Sequence, residues 1–396
     1  MMMKRFGLLG LSVFLAACNG GASANPPAEN VVRLPAQDRQ VAAPAHVFTL
    51  GAEQGPEWQS FAHVAHVAFD SQDNLYVLDR GVGKVFVYNP NGAFVREISR
   101  SGQGPGELTF PLQMAVTREG TLVVSDMRRK SFSMFQPDGR YVEELPYEFG
   151  RALGGMELRP HPRGGFVAVY QPHPELKADT GSMRLVWHSL NIDDEPRVLA
   201  QVRATRDRLG AGTARVDQPA FSHGFYWGVL PTGEVAVAHT AGYRVDIFSP
   251  GGALARTIER TIQPRATTAA DREVERQRRL AHLIEDAAST PPQVRAAAEK
   301  QVKELKFAKV IPVIQELGVD PAGRIWILRG ATVDFKGGSI DLIGSDGTYL
   351  GTFAGTRVPV AYSPGGLAAY LEEDDLGVQH VIVRRVPSSW GGVASR

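Results

Sequence analysis

Two segments of the chain share their punctuation at a spacing of 47 residues, and this repeat restricts the fold more than any other feature. Residues 101–145 read as four short strands, over 112–116, 121–125, 132–135 and 141–145. They are separated at Arg118-Glu119-Gly120, at Asp126 to Lys130 and at Pro137-Asp138-Gly139, the residue types that make turns. Leu75-Tyr76-Val77-Leu78-Asp79 returns as Leu122-Val123-Val124-Ser125-Asp126, and Asn89-Pro90-Asn91-Gly92 returns as Gln136-Pro137-Asp138-Gly139. A four-stranded unit of this kind is apolar on both faces and cannot bury either alone. Copies must therefore stack around an axis until the ring closes, which makes each unit a propeller blade.

The other units follow the same template with lower fidelity. Blade one covers 63–69, 75–78, 85–88 and 94–99, and blade three shows only 165–170 and 183–188, around the loop 171–182. Blade four is read at 227–230, 234–239, 243–248 and 253–258, blade five at 315–319, 324–328, 339–343 and 349–353. The C-terminal remnant, 358–386, lacks a fourth strand. Residues 46–50 form a lone strand followed by Gly51-Ala52-Glu53-Gln54-Gly55-Pro56-Glu57, which matches the link that follows the fourth strand of blade one. The N-terminal strand is therefore expected to complete the sixth blade, giving an all-β, six-bladed β-propeller with no open edge at the seam. A helical hairpin is expected over 268–309, between blades four and five. Thr268 with Asp271 and Thr290 with Gln293 have capping-box spacing, and Pro291 is placed at the first helical position. Its apolar stripes are Val274, Ala281, Ile284 and Ala288 on one helix and Val294, Ala298 and Leu305 on the other.

The beginning of the chain is of a different kind. Lys4-Arg5 precedes an apolar run over 6–17, too short to span a bilayer as a helix. Leu15-Ala16-Ala17-Cys18 resembles the lipobox of bacterial lipoproteins. That resemblance implies a signal peptide over 1–17, lipid attachment to Cys18 and anchorage to a membrane of the bacterial envelope. Asn19, where an Asp would favour inner-membrane retention, points to the outer membrane. Residues 18–45, rich in Gly, Ala, Asn and Pro, are expected to form a flexible tether, with the propeller over 46–390. Cys18 is the only cysteine, so the folded body is expected to have neither a disulfide nor a thiolate metal site. A formal net charge of +1 exerts no general attraction for nucleic acid.

Leu75 to Gly92, with a strand ending on Asp79 and a hairpin closing on Asn89-Pro90-Asn91-Gly92, resembles the core of an NHL repeat, and the chain resembles the six-bladed propeller lipoproteins of bacterial envelopes. The resemblance is good in blades one and two, partial in four and five, and weak in three and six. Proteins of this fold include protein and RNA binders, lyases and lactonases, so the resemblance implies a scaffold and leaves the activity open.

Propeller topology puts links between blades and links from second to third strands on one face. The long segments 171–182, 203–224, 263–312 and 329–338 all fall there, and long loops on a rigid ring are where binding is expected. Candidate ligand-binding residues on that face are Arg80, Arg128 and Arg129, which suit a carboxylate, phosphate or acidic glycan, Tyr226 and Trp227 in an aromatic segment with Phe221, His223 and Phe225, and Arg329. Asp79 and Asp126 either face a ligand or tie down their own turns. The inner strands recognised in sequence offer only Gln113 and Glu316 as oxygen ligands, so no cofactor or metal is assigned. No nucleophile elbow or zinc or phosphate-loop motif is found. The expected role is a membrane-anchored module binding an envelope protein, peptide or glycan; the alternative is a hydrolase or lyase with an axial metal site.

Overall fold

The computed structural model describes residues 30–147, 152–153, 157–172, 182–203, 219–222, 224–284, 291–330 and 337–390. The expected signal peptide, Cys18, His223 and most of the links 171–182 and 203–224 lie outside these residues.

Among the described residues the strands form six antiparallel blades, the chain running from the innermost to the outermost strand in the first five, while blade six takes its outermost strand from the N-terminal segment. Blade one is Val64–Phe69, Leu75–Asp79, Lys84–Tyr88 and Phe94–Ile98; blade two is Pro111–Val116, Leu122–Asp126, Ser131–Phe135 and Tyr141–Pro146. Blades four and five begin at Tyr226–Val229 and Ile314–Val319 and end at Leu254–Glu259 and Tyr349–Ala354. Blade three has the inner strand for which no sequence run was found, Leu158–Pro160, pairing with Phe166–Pro172. Three residues are too few to show a period, and so it escapes a pattern search.

Burial follows position. The second and third strands of blade two are buried throughout, because each face is covered by a neighbouring blade, whereas its outer strand Tyr141–Pro146 is only half covered. Six apolar clusters result, one for each blade-to-blade contact. Val64, Val77 and Phe86 of blade one meet Leu367, Val381 and Val383 of blade six. Leu328 and Leu342 of blade five meet Ala368 and Tyr370 on the other face of blade six. Each large side chain buried in this way contributes ~1.5–3 kcal/mol, so stacking, rather than pairing within a blade, holds the ring. The outer turns repeat as well: Gly92, Gly139, Gly252 and Gly347 end equivalent hairpins with φ of 83°, 92°, 86° and 89°, a region that residues with a Cβ avoid.

The seam is closed as expected. Ala45–Leu50 pairs antiparallel with Gln379–Arg385 as the fourth strand of blade six. Strand pairing nevertheless begins before His46, within the segment expected to be tether. Val31–Arg33 runs parallel to the outer strand of blade four, with Val32 opposite Ile258. Leu34 is buried in the contact between blades four and five, and Gln40 bridges to Thr352 at the edge of blade five. This strap clasps blades four and five before the chain closes the ring on blade six. Its contacts come from single residues spread along an extended chain, so composition alone suggests a linker.

The helical hairpin stands on a two-strand stalk, Arg265–Ala266 with Val310–Ile311. Its first helix, Ala269–Leu283, has the expected capping box between Thr268 and Asp271. The second, Pro292–Lys303, starts one residue later than expected. Pro291 is its N-cap, without a side-chain cap bond, and Thr290 lies outside the described residues. The expected stripe on the first helix is out of phase: Val274 is 41% exposed, while Glu275 and Arg279 are buried as an ion pair at 2.7 Å. Arg272 and Arg276 cover the Phe307 ring beside it. Long arginine stems supply apolar cover there, and they carry no hydrophobic signal in the sequence.

Candidate functional site

The strand order places both ends of every second-to-third and every interblade link on one face, and that face is held together by buried acids at the ends of second strands. Asp79 accepts hydrogen bonds from the backbone N–H groups of Ala62, His63 and Gly81 at 2.7, 2.9 and 2.8 Å. Asp126 does the same for Thr109, Phe110, Arg128 and Arg129. Each carboxylate thus ties the preceding interblade link to its own turn. Of the two alternatives for Asp79 and Asp126, the turn-tying one is the geometry found.

The candidate arginines divide by their partners. Arg80 meets His63 Nε2 at 2.9 Å and lies 4.9 Å over the Phe110 ring. Arg129 pairs with Glu144 and donates to the carbonyl of Gln103 at 2.9 Å. The two therefore flank the same link, residues 99–110, one from each blade. Arg128 is exposed on its turn. Arg329 donates to Asp341 at 2.8 Å and to Asp38 at 2.6 Å, clasping the strap to blade five. In the aromatic segment, Trp227 is 1% exposed and donates its indole N–H to Glu157 Oε2 at 2.6 Å. Tyr226 is half-buried on the same inner strand, and Phe221 packs 5.6 Å from Phe307, which follows the second helix of the hairpin. The structure brings Arg80 and Arg129 to one link and gives Tyr226, Trp227 and Arg329 separate surroundings.

The clasp around Arg329 is a four-charge cluster. Arg260 donates to Asp341 at 2.8 Å and to Asp38 at 2.7 Å, and its remaining N–H groups reach the carbonyls of Pro35 and Ala36. Asp341 also accepts from Tyr243 and Thr352. Burial acts to raise the Asp38 carboxyl, but the hydrogen bonds and charges of Arg329 and Arg260 outweigh it and hold it below its ordinary value. Every member has partners, as a buried ionic group requires.

The axial side is organised by six equivalent turns. The N–H groups of Asp70, Thr117, His161, Leu230, Asp320 and Ser363 each donate to the carbonyl four residues on. Counting back four residues gives a polar side chain on or beside the inner strand of five blades, His66, Gln113, Glu157, Tyr226 and Glu316, and Pro359 in blade six. Sequence reading found Gln113 and Glu316 and missed Glu157, because blade three's inner strand was not recognised. The turn His161-Pro162-Arg163-Gly164-Gly165, aligned with Leu230-Pro231-Thr232-Gly233-Glu234, is the signal that locates it. Glu316 accepts from Arg357 at 3.0 Å and from the Val358 N–H at 2.8 Å. Among the described residues no group of three or more His, Cys, Asp or Glu side chains is gathered as metal ligands would be.

Residues 60–152 match a family model described as a six-bladed β-propeller. No curated protein matches the sequence. Among solved structures, the chain is similar to a protein of Bacteroides fragilis described as exported, at 11% identity over 90% of this chain and 99% of that one, with a TM-score of 0.48. It is also similar to a gluconolactonase of Xanthomonas campestris, at 14% identity over 83% and 88% with a TM-score of 0.41. A virginiamycin B lyase of Staphylococcus aureus is similar at 8% identity over 84% and 82%, with a TM-score of 0.38. Likenesses at this level say nothing about activity.

Proposed function

We propose that this six-bladed propeller is a lipid-anchored module of the bacterial envelope that binds a protein, peptide or glycan partner on its long-link face. The observation that supports this reading is the asymmetry of the ring. The extended links and the helical hairpin all depart from one face, while the opposite face is closed by tight turns such as 70–74, 117–121 and 230–234. A rigid scaffold with variable length on one side only is built to present that side. The hairpin adds exposed apolar groups, Val274 at 41% and Val294 at 51%.

The anchor follows from the lipobox resemblance at Cys18. Two or more acyl chains, at ~0.8 kcal/mol per buried CH₂, would hold the protein on the membrane, and the strap would then bring the chain onto blades four to six. Cys18→Ser should move the protein from the membrane to the soluble fraction with its fold retained, and persistence at the membrane would refute the anchor. Binding is tested by placing a photo-crosslinking residue at Val294 or, as control, at Asp138 on the tight-turn face. The expected result is discrete adducts from 294 alone, competed by excess unanchored propeller; adducts from both positions alike, or from neither, would refute the proposed face.

A further inference from the structure

The axial register exposes a position where one blade departs from the other five. Two residues before each of the six equivalent turns stand Ala68, Ala115, Arg159, Gly228, Gly318 and Ala361. Five are as small as residues come, and the sixth is an arginine. Arg159 lies with its guanidinium 5.5 Å over the Trp227 ring and donates to the Leu158 carbonyl at 2.8 Å. Among the described residues it has no carboxylate at ion-pairing distance.

The surrounding acids have other partners. Glu157, two residues earlier and just before the strand, accepts the Trp227 indole N–H. Glu316 is held by Arg357 and Val358, and Asp320 by Arg324 and Trp326. Burial draws the guanidinium below its ordinary value, and the nearby Tyr362 opposes that shift.

Tyr362 comes from blade six, across the ring from blade three. Its hydroxyl oxygen is buried and has no hydrogen-bond partner among the described residues. It sits where Gly318 gives it room: a Cβ on that glycine would lie 2.2 Å from the hydroxyl. A buried hydroxyl left without a partner is destabilising, and an unpaired buried charge is more so. A water would satisfy the hydroxyl but would not neutralise the cation.

We propose that Arg159 and Tyr362 form an axial binding site for a small oxyanion, a carboxylate or phosphate group, with the Trp227 ring as its wall. Such a group would pair with the guanidinium, accept a hydrogen bond from the hydroxyl and leave neither orphaned. Arg159 and Tyr362 are each partly exposed as whole residues, while the Tyr362 hydroxyl oxygen itself is buried. This site is distinct from the long-link face and does not depend on partner binding there.

The test uses the detergent-solubilised full chain, with inorganic phosphate and succinate as probes against chloride at constant ionic strength. The expected result is a saturable rise in melting temperature with at least one probe, and a binding isotherm of about one site. Arg159→Met should be at least as stable as the native chain in anion-free buffer, since it removes an uncompensated charge, and should lose the response. Tyr362→Phe should bind about tenfold more weakly, and Arg128→Gln, on an exposed turn, should bind as the native chain does. No saturable response of the native chain, which needs no variant to observe, overturns the proposal. So does a response retained in Arg159→Met, or a loss of stability in that variant without anion, which would mean that Glu157 already compensates the cation.

Discussion

Replacing Asp38 by Asn removes one charge from the cluster that fastens the strap while keeping the side chain's shape and one acceptor. In the native chain Arg260 and Arg329 face Asp38 and Asp341, so two cations meet two anions. The Arg260 and Asp341 side chains are fully buried, and Asp38 is 35% exposed. After the substitution two guanidinium groups share a single carboxylate. Removing one partner of a buried pair costs about 3–5 kcal/mol. Because Asp38 is partly open, water and salt screen some of that, and the expected loss is about 2 kcal/mol. Asp341→Asn has no such relief and should cost the full ~3–5 kcal/mol. Urea denaturation at pH 7 reads both values, with the slope unchanged if the unfolded state is the same. Limited proteolysis should show faster cleavage within residues 30–44. Arg329→Met should cost less in the Asp38→Asn background than in the native chain, by about 1 kcal/mol, since it then removes the surplus cation. If Asp38→Asn stays within about 0.5 kcal/mol of native, or if Asp341→Asn costs no more than Asp38→Asn, charge pairing is not what holds the strap.

Acid should weaken blade three through His188, which burial among Phe132, Phe166 and Tyr170 pulls down to about 4 from an ordinary value of 6.5. The unfolded chain then takes up a proton that the folded chain resists. This contribution is therefore fully present above pH 6.5 and is lost progressively as pH falls toward 4, by up to ~3 kcal/mol. His188→Phe should flatten that part of the stability profile, and an unchanged slope would refute the assignment. Removing residues 1–50 should uncover the edge of Gln379–Arg385 and produce self-association by size-exclusion chromatography, as an unpaired strand invites. A monomeric, native-like truncated protein would show that the seam needs no N-terminal strand.

The closure of the ring was legible because it rests on local composition. Turn residues at Asn89-Pro90-Asn91-Gly92 and Gln136-Pro137-Asp138-Gly139 mark strand ends wherever they occur, and the orphan strand 46–50 could be matched to a blade lacking its fourth member. The tying role of Asp79 and Asp126 was also foreseeable, since a carboxylate next to a turn finds backbone donors within a few residues. The helical hairpin showed the limit of this reasoning. Its first cap was correct because the cap is local, and its buried face was misjudged because Phe307 and the arginine stems that cover it come together only in space.

By itself the sequence determined the repeat, the all-β class, the number of blades and the face that carries the long links, because alternation and turn chemistry act between near neighbours. Tertiary structure alone decided that the strap lies on blades four and five, that Arg329 is held by Asp38 from 291 residues away, and that Arg159 and Tyr362 stand across one axis. Those contacts join residues whose separation along the chain has no fixed period. Charge and hydrogen bonding choose partners by distance in space, and only the closed ring sets that distance.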